Sequence, residues 1–351
     1  MMMRRFQRGL VVGKFCPLHK GHEAVIRRAL AECEAVVVLS YTVPEFPGCE
    51  PEKRAAWLES LFPETTRIVL GADNPWGLVP PPNDDPDESR HRRFVGQVCR
   101  EVLRTTVDAV FTSENYGDGF AAELTRYFRD EVDADHPEVV HVPVDPGRNV
   151  LPVSGTALRA DPHGLRQWLS PVVYASFVKR ICLLGGESSG KSTLAAALAQ
   201  HHQTLHVTEY GRELWVGQGG DLSYEDLLHI GEVQVAREEE AAGRANRYLF
   251  CDTSPLTTLF YCLEDHGRAE PGLWELAKRK YDMYVLCAPD IPFDQDGTRR
   301  DHAFRQQQHD WYEEQLTAMG VAWVEVRGGV AERMEQVEAC LREAKVAPSA
   351  Y

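Results

Sequence analysis

Two histidines stand three positions apart in the stretch GKFCPLHKGH, residues 13–22. The apolar run at 9–12 predicts a strand, which places His19 and His22 beyond its carboxyl end. Backbone amides at the start of the next helix, together with two imidazoles, can bind phosphates and stabilise charge on a phosphoryl oxygen. Gly13 would let the backbone pass close to a ligand. The stretch therefore predicts a triphosphate site for nucleotidyl transfer.

The histidine pair is also compatible with a metal site or with no chemical role. A zinc site needs a third and usually a fourth ligand, and no cysteine or carboxylate stands nearby at ligand spacing. Without a role in chemistry, the pair would be two solvated loop residues.

A second stretch, VSGTALRADP at 153–162, has the residue types of a phosphate-binding helix start. We expect Ser154 and Thr156 just before the helix and Arg159 in its first turn. Hydroxyl groups at such a position cap the helix and contact phosphate, and the guanidinium fork of arginine binds phosphate oxygens. Taken alone, the stretch could equally be an ordinary helix cap.

A third stretch, GGESSGKST at 185–193, follows the predicted strand RICLLGG. Its glycines, lysine and serine have the spacing of a complete phosphate-binding loop between a strand and a helix. In such loops amides wrap the β-phosphate, the lysine bridges the β- and γ-phosphates and the serine ligates Mg²⁺. An AAA-type motor or a GTPase is disfavoured, since only about 170 residues follow the connector and no Asn-Lys-x-Asp guanine signature is present. The residues expected to bind ATP here are Gly185, Glu187, Ser188, Ser189, Gly190, Lys191, Ser192 and Thr193.

Carboxylates and an arginine stand at the ends of two further predicted strands. The strand in RYLFCDTSP ends at Asp252, where a carboxylate can organise Mg²⁺ or take a proton from an acceptor hydroxyl. A helix cap is the alternative for Asp252. The stretch HVTEYGREL presents Glu209, Tyr210 and Arg212, which suit a polar acceptor with a ring, or else form surface ion pairs.

Arginines gather again in DQDGTRRDHAFRQQQHD, after the predicted strand MYVLC. Arg299, Arg300 and Arg305 occur within seven positions of a polar segment that contains glycine. Such a segment predicts a lid that closes arginines over the transferring phosphates and excludes water. We expect Arg299 and Arg305 to bind ATP, with a solvated helix face as the alternative.

The elements that must position these residues alternate along the chain. Amphipathic patterns at 22–34, 52–62 and 94–104 predict helices, and the Pro- and Asp-rich residues 72–93 predict a long surface loop. Strand and helix in alternation predict a parallel sheet covered on both faces, whose ligands bind beyond the carboxyl ends of the strands. Apolar runs in the first half predict strands at 9–12, 35–40, 67–70, 108–112 and 139–144.

Composition narrows the class of protein. A chain of 351 residues suits two domains, and a net charge of -15 argues against a nucleic-acid partner. Nine scattered cysteines indicate free thiols in a reducing cytosol. No apolar stretch is long enough to cross a bilayer, and the start of the chain lacks the apolar region of a signal peptide. We expect a cytoplasmic protein with small-molecule partners and no membrane partner.

The first two stretches together resemble the nucleotidyltransferase superfamily of Rossmann-like fold, with its signatures Gly-x-Phe-x-Pro-x-His-x-Gly-His and Ser-x-Thr-x-x-Arg. The match covers about residues 8–165 and includes Gly13, Phe15, Pro17, His19, Gly21 and His22, then Ser154, Thr156 and Arg159. The resemblance implies transfer of AMP or CMP from a nucleoside triphosphate, with release of pyrophosphate. The run Ser113 to Tyr116 resembles a loop of nicotinamide-mononucleotide adenylyltransferases. The residues that the resemblance assigns to ATP are Gly13, Lys14, Phe15, His19, His22, Ser154, Thr156 and Arg159.

The second half resembles the small nucleoside and nucleotide kinases of the P-loop class. The order of the halves resembles the NadR-type family, in which nicotinamide-mononucleotide adenylyltransferase is fused to ribosylnicotinamide kinase. This resemblance implies domains at 1–165 and 180–351, both with parallel sheets, and a helical connector at 166–179. It implies phosphorylation of nicotinamide riboside by MgATP to nicotinamide mononucleotide (NMN), then adenylyl transfer to NMN to give NAD. Members with an N-terminal helix-turn-helix differ from this sequence, whose first strand begins by residue 9.

The same resemblance implies roles for single residues. His19, His22 and Arg159 would serve adenylyl transfer, and Lys191 and Asp252 phosphoryl transfer. Ser192 and Asp252 would ligate Mg²⁺, and a homo-oligomer is compatible with the family. Two alternatives stay open: the same chemistry on other acceptors such as deoxynucleosides, or one half that senses NAD or ATP. The residues assigned to the riboside are Glu209, Tyr210, Arg212 and Asp252.

Overall fold

The computed structural model describes residues 4–294 and 300–346. Two compact units meet in the sequence between Ser176 and Phe177. That division falls inside the segment predicted as a connector, which contains three short helical pieces, Arg166–Trp168, Pro171–Tyr174 and Ala175–Phe177. Each unit contains one five-stranded sheet with helices between the strands. The predicted α/β fold class is confirmed.

The first unit has a parallel sheet in the order β3-β2-β1-β4-β5. The chain fills one side of β1 before it crosses to the other, so the carboxyl ends of β1 and β4 flank the crevice where such sheets bind ligands. The strands are β1 (Phe6–Gly13), β2 (Cys33–Tyr41), β3 (Thr66–Leu70), β4 (Ala109–Thr112) and β5 (Val140–Pro143). The helices are α1 (Lys20–Glu32), α2 (Pro51–Leu61), α3 (Glu88–Val98), α4 (Gly117–Glu131), α5 (Gly155–Ala160) and α6 (Pro171–Tyr174).

The second unit has a parallel sheet in the order β10-β9-β6-β8-β7. Its central strand is followed by the phosphate-binding loop, and the next two strands on one side end beside that loop. The strands are β6 (Lys179–Leu184), β7 (Leu205–Val207), β8 (Tyr248–Asp252), β9 (Met283–Cys287) and β10 (Trp323–Val326). The helices are α7 (Lys191–His201), α8 (Tyr210–Gly217), α9 (Tyr224–Ala242), α10 (Pro255–His266), α11 (Pro271–Ala277), α12 (His302–Ala318) and α13 (Val330–Val346).

All five strands predicted in the first half are present, but its helices differ from the prediction in three places. The loop expected at 72–93 ends early, because the Asp87 side chain accepts a hydrogen bond from Ser89 N (2.9 Å) and caps α3. The helix expected at 94–104 is α-helical only to residue 98 and continues as a π-helical turn. Helix α4 was not predicted, although Phe120, Leu124 and Phe128 repeat at the spacing of a buried helix face.

No helix in the described part of the chain is long and apolar enough to cross a membrane.

Two glycines in the first turn of α4 differ in the room around them. A Cβ on Gly117 would lie 2.0 Å from Nε2 of His141, a ring that Thr112 and Asp118 hold by hydrogen bonds. A Cβ on Gly119 would meet only the guanidinium of Arg92, at 3.1 Å. We expect G117A to lower the free energy of unfolding of this unit by about 1–3 kcal/mol. G119A should change it by less than about 0.5 kcal/mol, because higher helix propensity offsets a small clash. Thermal unfolding measures both, and equal melting temperatures would contradict the packing of His141.

Candidate active sites

The two histidines of the first unit form the start of α1. His19 is the N-cap, and its Nδ1 accepts a hydrogen bond from Gly21 N (3.2 Å). His22 Nδ1 accepts from His19 N (3.4 Å), so the pair forms a capping box made of histidines. The two rings stack at 3.7 Å between centroids, and His22 also packs edge-on against Phe15. The pair is therefore not two solvated loop residues, because both rings are held by the helix start and His19 is buried.

Both imidazoles are neutral at physiological pH. Burial lowers the pKa of His19 to about 4, with the charge of Arg148 as a second cause. Burial, His19 and Arg148 lower the pKa of His22 well below its usual value. Since each Nδ1 accepts a backbone hydrogen bond, the proton of each ring belongs on Nε2. Each neutral ring then has one donor, on Nε2, and the backbone oxygens of His19 and Pro17 also lie near these rings.

Cationic side chains converge on the same loop. Arg159 Nη1 donates to the backbone oxygen of Cys16 (2.5 Å), and its guanidinium lies 4.1 Å from the centroid of the Phe46 ring. Lys14 Nζ donates to the backbone oxygen of Asn83 (3.3 Å). Burial and the charge of Arg159 lower the pKa of Lys14. Two cations that repel one another at one place suit an anionic ligand, which would relieve the repulsion.

The second signature reaches the first through α5. Ser154 is the N-cap of α5 and its Oγ accepts from Ala157 N (3.2 Å). Two details correct the prediction: Thr156 lies inside the helix, not before it, and Arg159 lies in its last turn. Arg159 Nη2 donates to Thr156 Oγ1 (3.2 Å) while Nη1 holds the first signature. The structure thus brings both predicted stretches together around one loop.

A pocket of about 250 Å³ opens beside the carboxyl end of β1. Its wall combines aromatic rings with cationic and titratable groups, and the Tyr41 hydroxyl is hydrogen-bonded to His91 Nδ1 (2.9 Å). Tyr41, His91 and Arg92 were not predicted from the sequence, because the helix that carries two of them begins inside the stretch expected to be a loop. The lining residues are Val12, Gly13, Lys14, Tyr41, Glu88, His91, Arg92, Val95, Tyr116 and Phe120.

The phosphate-binding loop of the second unit follows β6 and ends at α7. Gly190 has a φ of 83°, a value that favours glycine, and turns the chain into the helix at Lys191. Lys191 Nζ donates to the backbone oxygens of Gly185 (2.8 Å) and Gly186 (3.1 Å).

Side chains of this loop also bind the surrounding elements. The Glu187 carboxylate accepts hydrogen bonds from the Tyr261 hydroxyl (3.0 Å) and from Arg300 N (2.7 Å). Ser188 Oγ accepts from Asp294 N (2.9 Å). These side chains tie the loop to α10 and to the segment before α12.

A cavity of about 600 Å³ adjoins this loop. Of the four residues predicted for the riboside, Glu209 and Arg212 line it. Asp252 does not line it, and neither does Tyr210, whose ring packs beneath the guanidinium of Arg237, 4.4 Å away. Further lining residues that were not predicted from the sequence are Trp215, Asp221, Leu222, Leu227, Ile230, Thr257, Thr258, Tyr261, Asp265, His266 and Gln308.

Two carboxylates near the loop have different surroundings. Burial raises the pKa of Glu209 to about 7. The negative charges of Asp252 and Glu187 also raise this pKa, whereas the positive charges of Lys191 and Arg212 lower it. Asp252 ends β8 and is 3% exposed, and its Oδ1 is buried without a hydrogen-bond partner in the described part of the chain. Asp252 is not a helix cap, since Ser254 caps α10. An orphaned carboxylate oxygen at the end of the strand that pairs with β6 fits a hard cation such as Mg²⁺.

The predicted lid is only partly described. Arg299 lies outside the described residues. Arg300 pairs with Asp265 and stacks 4.2 Å from the centroid of the Phe304 ring. Arg305 is not a lid residue: it is fully buried within α12, where Nη1 donates to the backbone oxygen of Ile291 (2.9 Å). Arg300, just before α12, therefore lines the cavity, whereas Arg305 holds α12 against the backbone at Ile291.

Two clusters among residues 4–294 and 300–346 have enough potential ligands for a metal ion: His201, His202 and Glu338, and His309, Glu313 and Glu325. Neither includes His19 or His22, so a zinc site at that pair has no structural support.

Comparison with known proteins places this geometry in context. Residues 180–333 match the AAA domain family. The chain is 29% identical over 316 residues to the trifunctional NAD biosynthesis/regulator protein NadR of Escherichia coli (strain K12). The protein of that name from Salmonella typhimurium (strain LT2) is 29% identical over 308 residues. Each match covers 83% of this chain and 71% of the relative. The chain is homologous to NadR.

Two solved structures of NadR show the same fold as this chain. A crystal structure of NadR in complex with NAD and AMP-PNP aligns at a TM-score of 0.66 and 19% identity, over 99% of this chain and 98% of that one. A structure of NadR in complex with NR aligns at 0.68 and 20% identity, over 97% of both chains. These alignments show that NadR and this chain share their fold.

The buried neutral state of His19 predicts a pH dependence of stability. The pKa of a histidine in the unfolded chain is near 6.5, whereas burial lowers the pKa of His19 to about 4 in the folded protein. Stability that is present above pH 6.5 is therefore lost as the pH falls toward 4, by about 2 kcal/mol between pH 7 and pH 5. H19N keeps a capping acceptor but cannot titrate, so it should weaken this dependence. Urea unfolding of the first unit at pH 7 and pH 5 tests this.

The control for that experiment is H206N, which removes an exposed histidine of the second unit. It should leave the pH dependence of the first unit unchanged. An H19N protein with the same loss of stability as the parent would show that His19 is not held neutral.

Proposed function

We propose that the protein makes NAD from nicotinamide riboside in two ATP-dependent steps, one in each unit. The observation that carries the proposal is that each unit brings its signature residues together at the carboxyl ends of neighbouring parallel strands, where phosphates would bind. Homology to proteins named for NAD biosynthesis supports the choice of substrates. The product of the second unit, NMN, is the acceptor in the first.

In the second unit, the 5′-hydroxyl of the riboside attacks the γ-phosphorus of ATP, the bond to the β–γ bridging oxygen breaks, and ADP leaves. Loop amides and Lys191 hold the β- and γ-phosphates, and Glu209 accepts the proton of the hydroxyl. A carboxyl group with a pKa of about 7 suits this role, because it is partly ionised at neutral pH and still basic. Ser192 and Asp252 would hold Mg²⁺, which neutralises phosphate charge. Arg212 and the other side chains that line the cavity orient the riboside.

In the first unit, the phosphate of NMN attacks the α-phosphorus of ATP and pyrophosphate leaves. His19 and His22 donate hydrogen bonds from Nε2 to the triphosphate, and Arg159 and Lys14 balance its charge. The pocket beside Gly13 receives NMN, since its aromatic wall suits a flat ring and Lys14 and Arg92 suit a phosphate. Positioning and electrostatics account for such a reaction without a covalent intermediate on the protein.

The direct test incubates the purified protein with nicotinamide riboside, ATP and Mg²⁺ and follows products by mass. NMN followed by NAD is the expected result. NMN alone would refute the acceptor assigned to the first unit. Turnover of a deoxynucleoside but not of the riboside would refute the substrate of the second, and ATP binding without turnover would favour a sensor.

Two substitutions should separate the half-reactions. H22A removes one hydrogen-bond donor to the triphosphate, so NAD synthesis from NMN should fall about 100-fold while riboside phosphorylation persists. K191A should lower riboside phosphorylation, while NAD synthesis from NMN persists. Separate assays with NMN and with the riboside measure each step, and circular dichroism checks the fold of H22A, whose capping box is altered. A folded H22A protein with full adenylyltransferase activity would contradict the assignment.

The raised pKa of Glu209 predicts the pH profile of the kinase step. The base must be ionised, so the rate at saturating substrate should rise from pH 6 to pH 8 through a midpoint near 7. E209Q should lower the rate about 100-fold and flatten that rise. The control is E213Q, at an exposed residue in the first turn of α8, the helix that begins directly after Glu209; its carboxylate pairs with Arg237, and the variant should keep the profile. An unchanged midpoint in E209Q would assign the proton to another group.

A further inference from the structure

The residue after Asp252 has an unusual backbone. Thr253 has a φ of 78°, in the left-handed region that β-branched residues avoid. It is 3% exposed, and its N donates to the backbone oxygen of Leu183 (3.0 Å). A conformation of this kind persists only where the surroundings hold it. Because Thr253 directly follows Asp252, this conformation affects the direction of the chain at Asp252, where β8 ends.

A chain of buried hydrogen bonds holds Thr253 in place. Its hydroxyl bonds to Thr257 Oγ1, which lies 2.7 Å from the hydroxyl of Tyr312. Gln308 Nε2 donates to the same hydroxyl (3.2 Å), and Gln308 Oε1 accepts from Glu187 N in the phosphate-binding loop (3.0 Å). We call the four side chains of Thr253, Thr257, Tyr312 and Gln308 the α12 network. None of the four is more than 4% exposed.

The network joins the two parts of the phosphate site that backbone pairing alone does not fix. Strands β6 and β8 pair Leu183 with Asp252, which sets where β8 ends but not where its carboxylate points. Asp252 Oδ1 has no hydrogen-bond partner within the described chain, so its direction depends on the backbone at residues 252 and 253. Tyr312 packs near Phe260 and Trp311, where phenylalanine would serve equally for packing. Its buried hydroxyl is explained by orientation of polar groups.

We propose that the α12 network is a positioning device that aims the Asp252 carboxylate at the cation of MgATP by linking it to the phosphate-binding loop. The inference rests on the proposed kinase function of the second unit. Thr257 and Gln308 also line the cavity, whereas Tyr312 and Thr253 do not, so Tyr312 acts on the site only through its neighbours.

The test variant is Y312F, which removes one hydroxyl and keeps the ring. We expect kcat for riboside phosphorylation to fall about tenfold and the Mg²⁺ concentration for half-maximal rate to rise about fivefold. The KM for ATP should stay within about twofold, since the loop that binds the phosphates is intact. The control is Y284F, whose hydroxyl belongs to an equally buried residue of the same unit but donates to the backbone oxygen of Arg279 (2.7 Å). It should retain both parent values.

A second readout does not depend on turnover. Paramagnetic resonance of Mn²⁺ with a non-hydrolysable ATP analogue should show weaker metal binding in Y312F than in the parent and in Y284F. If folded Y312F keeps the parent's metal affinity and kcat, the network has no positioning role and the inference fails. Equal losses in Y312F and Y284F would also overturn it, as a general effect of destabilisation. If the parent does not phosphorylate the riboside, the proposed function fails, and the Mn²⁺ measurement still decides the network.

Discussion

Parallel pairing of the strands is the constraint on which both sites depend. In each unit it brings the carboxyl ends of adjacent strands to one edge, where helices start and their amides point outward. In the second unit this brings together residues that follow three adjacent strands: Glu209 after β7, Asp252 at the end of β8 and the phosphate loop after β6. These positions are far apart in the sequence. The sheet therefore assembles the site, and the loops supply its chemistry.

The two sites treat charge in different ways. In the first unit the imidazoles are neutral because burial disfavours their charged form, and the positive charge comes from Arg159 and Lys14 around them. Neutral donors fixed by a capping box need no reorganisation when charge develops on a phosphate. In the second unit the loop and Lys191 face the carboxylates Glu209 and Asp252. That arrangement suits a reaction in which a proton must leave and a cation must be held.

Sequence patterns predicted those features that depend on residues close together in the chain. The strands follow from apolar runs, and the phosphate loop from its spacing, because both depend on neighbouring residues. Tyr41 and His91 could not be predicted, since their pocket exists only once β2 and α3 pack together. The prediction for Arg305 was wrong for the same reason: an arginine near a glycine-containing segment looks like a lid residue, but packing buries its side chain. Tyr210 lies in a polar stretch, yet its ring faces Arg237 and not the cavity.

The composition of the larger cavity bears on its substrate. Four carboxylates line it, from Glu187, Glu209, Asp221 and Asp265, although a site for ATP alone would favour cations. Glu187 and Asp265 are engaged with neighbouring groups, which leaves Glu209 near the loop and Asp221, which lines the cavity together with Trp215. The pyridinium ring of nicotinamide riboside is permanently positive, and both a carboxylate and an indole face attract such a ring. A deoxynucleoside base is neutral and gains nothing from the charge. The acidic and aromatic wall is therefore an argument for the riboside over a deoxynucleoside within the proposed function.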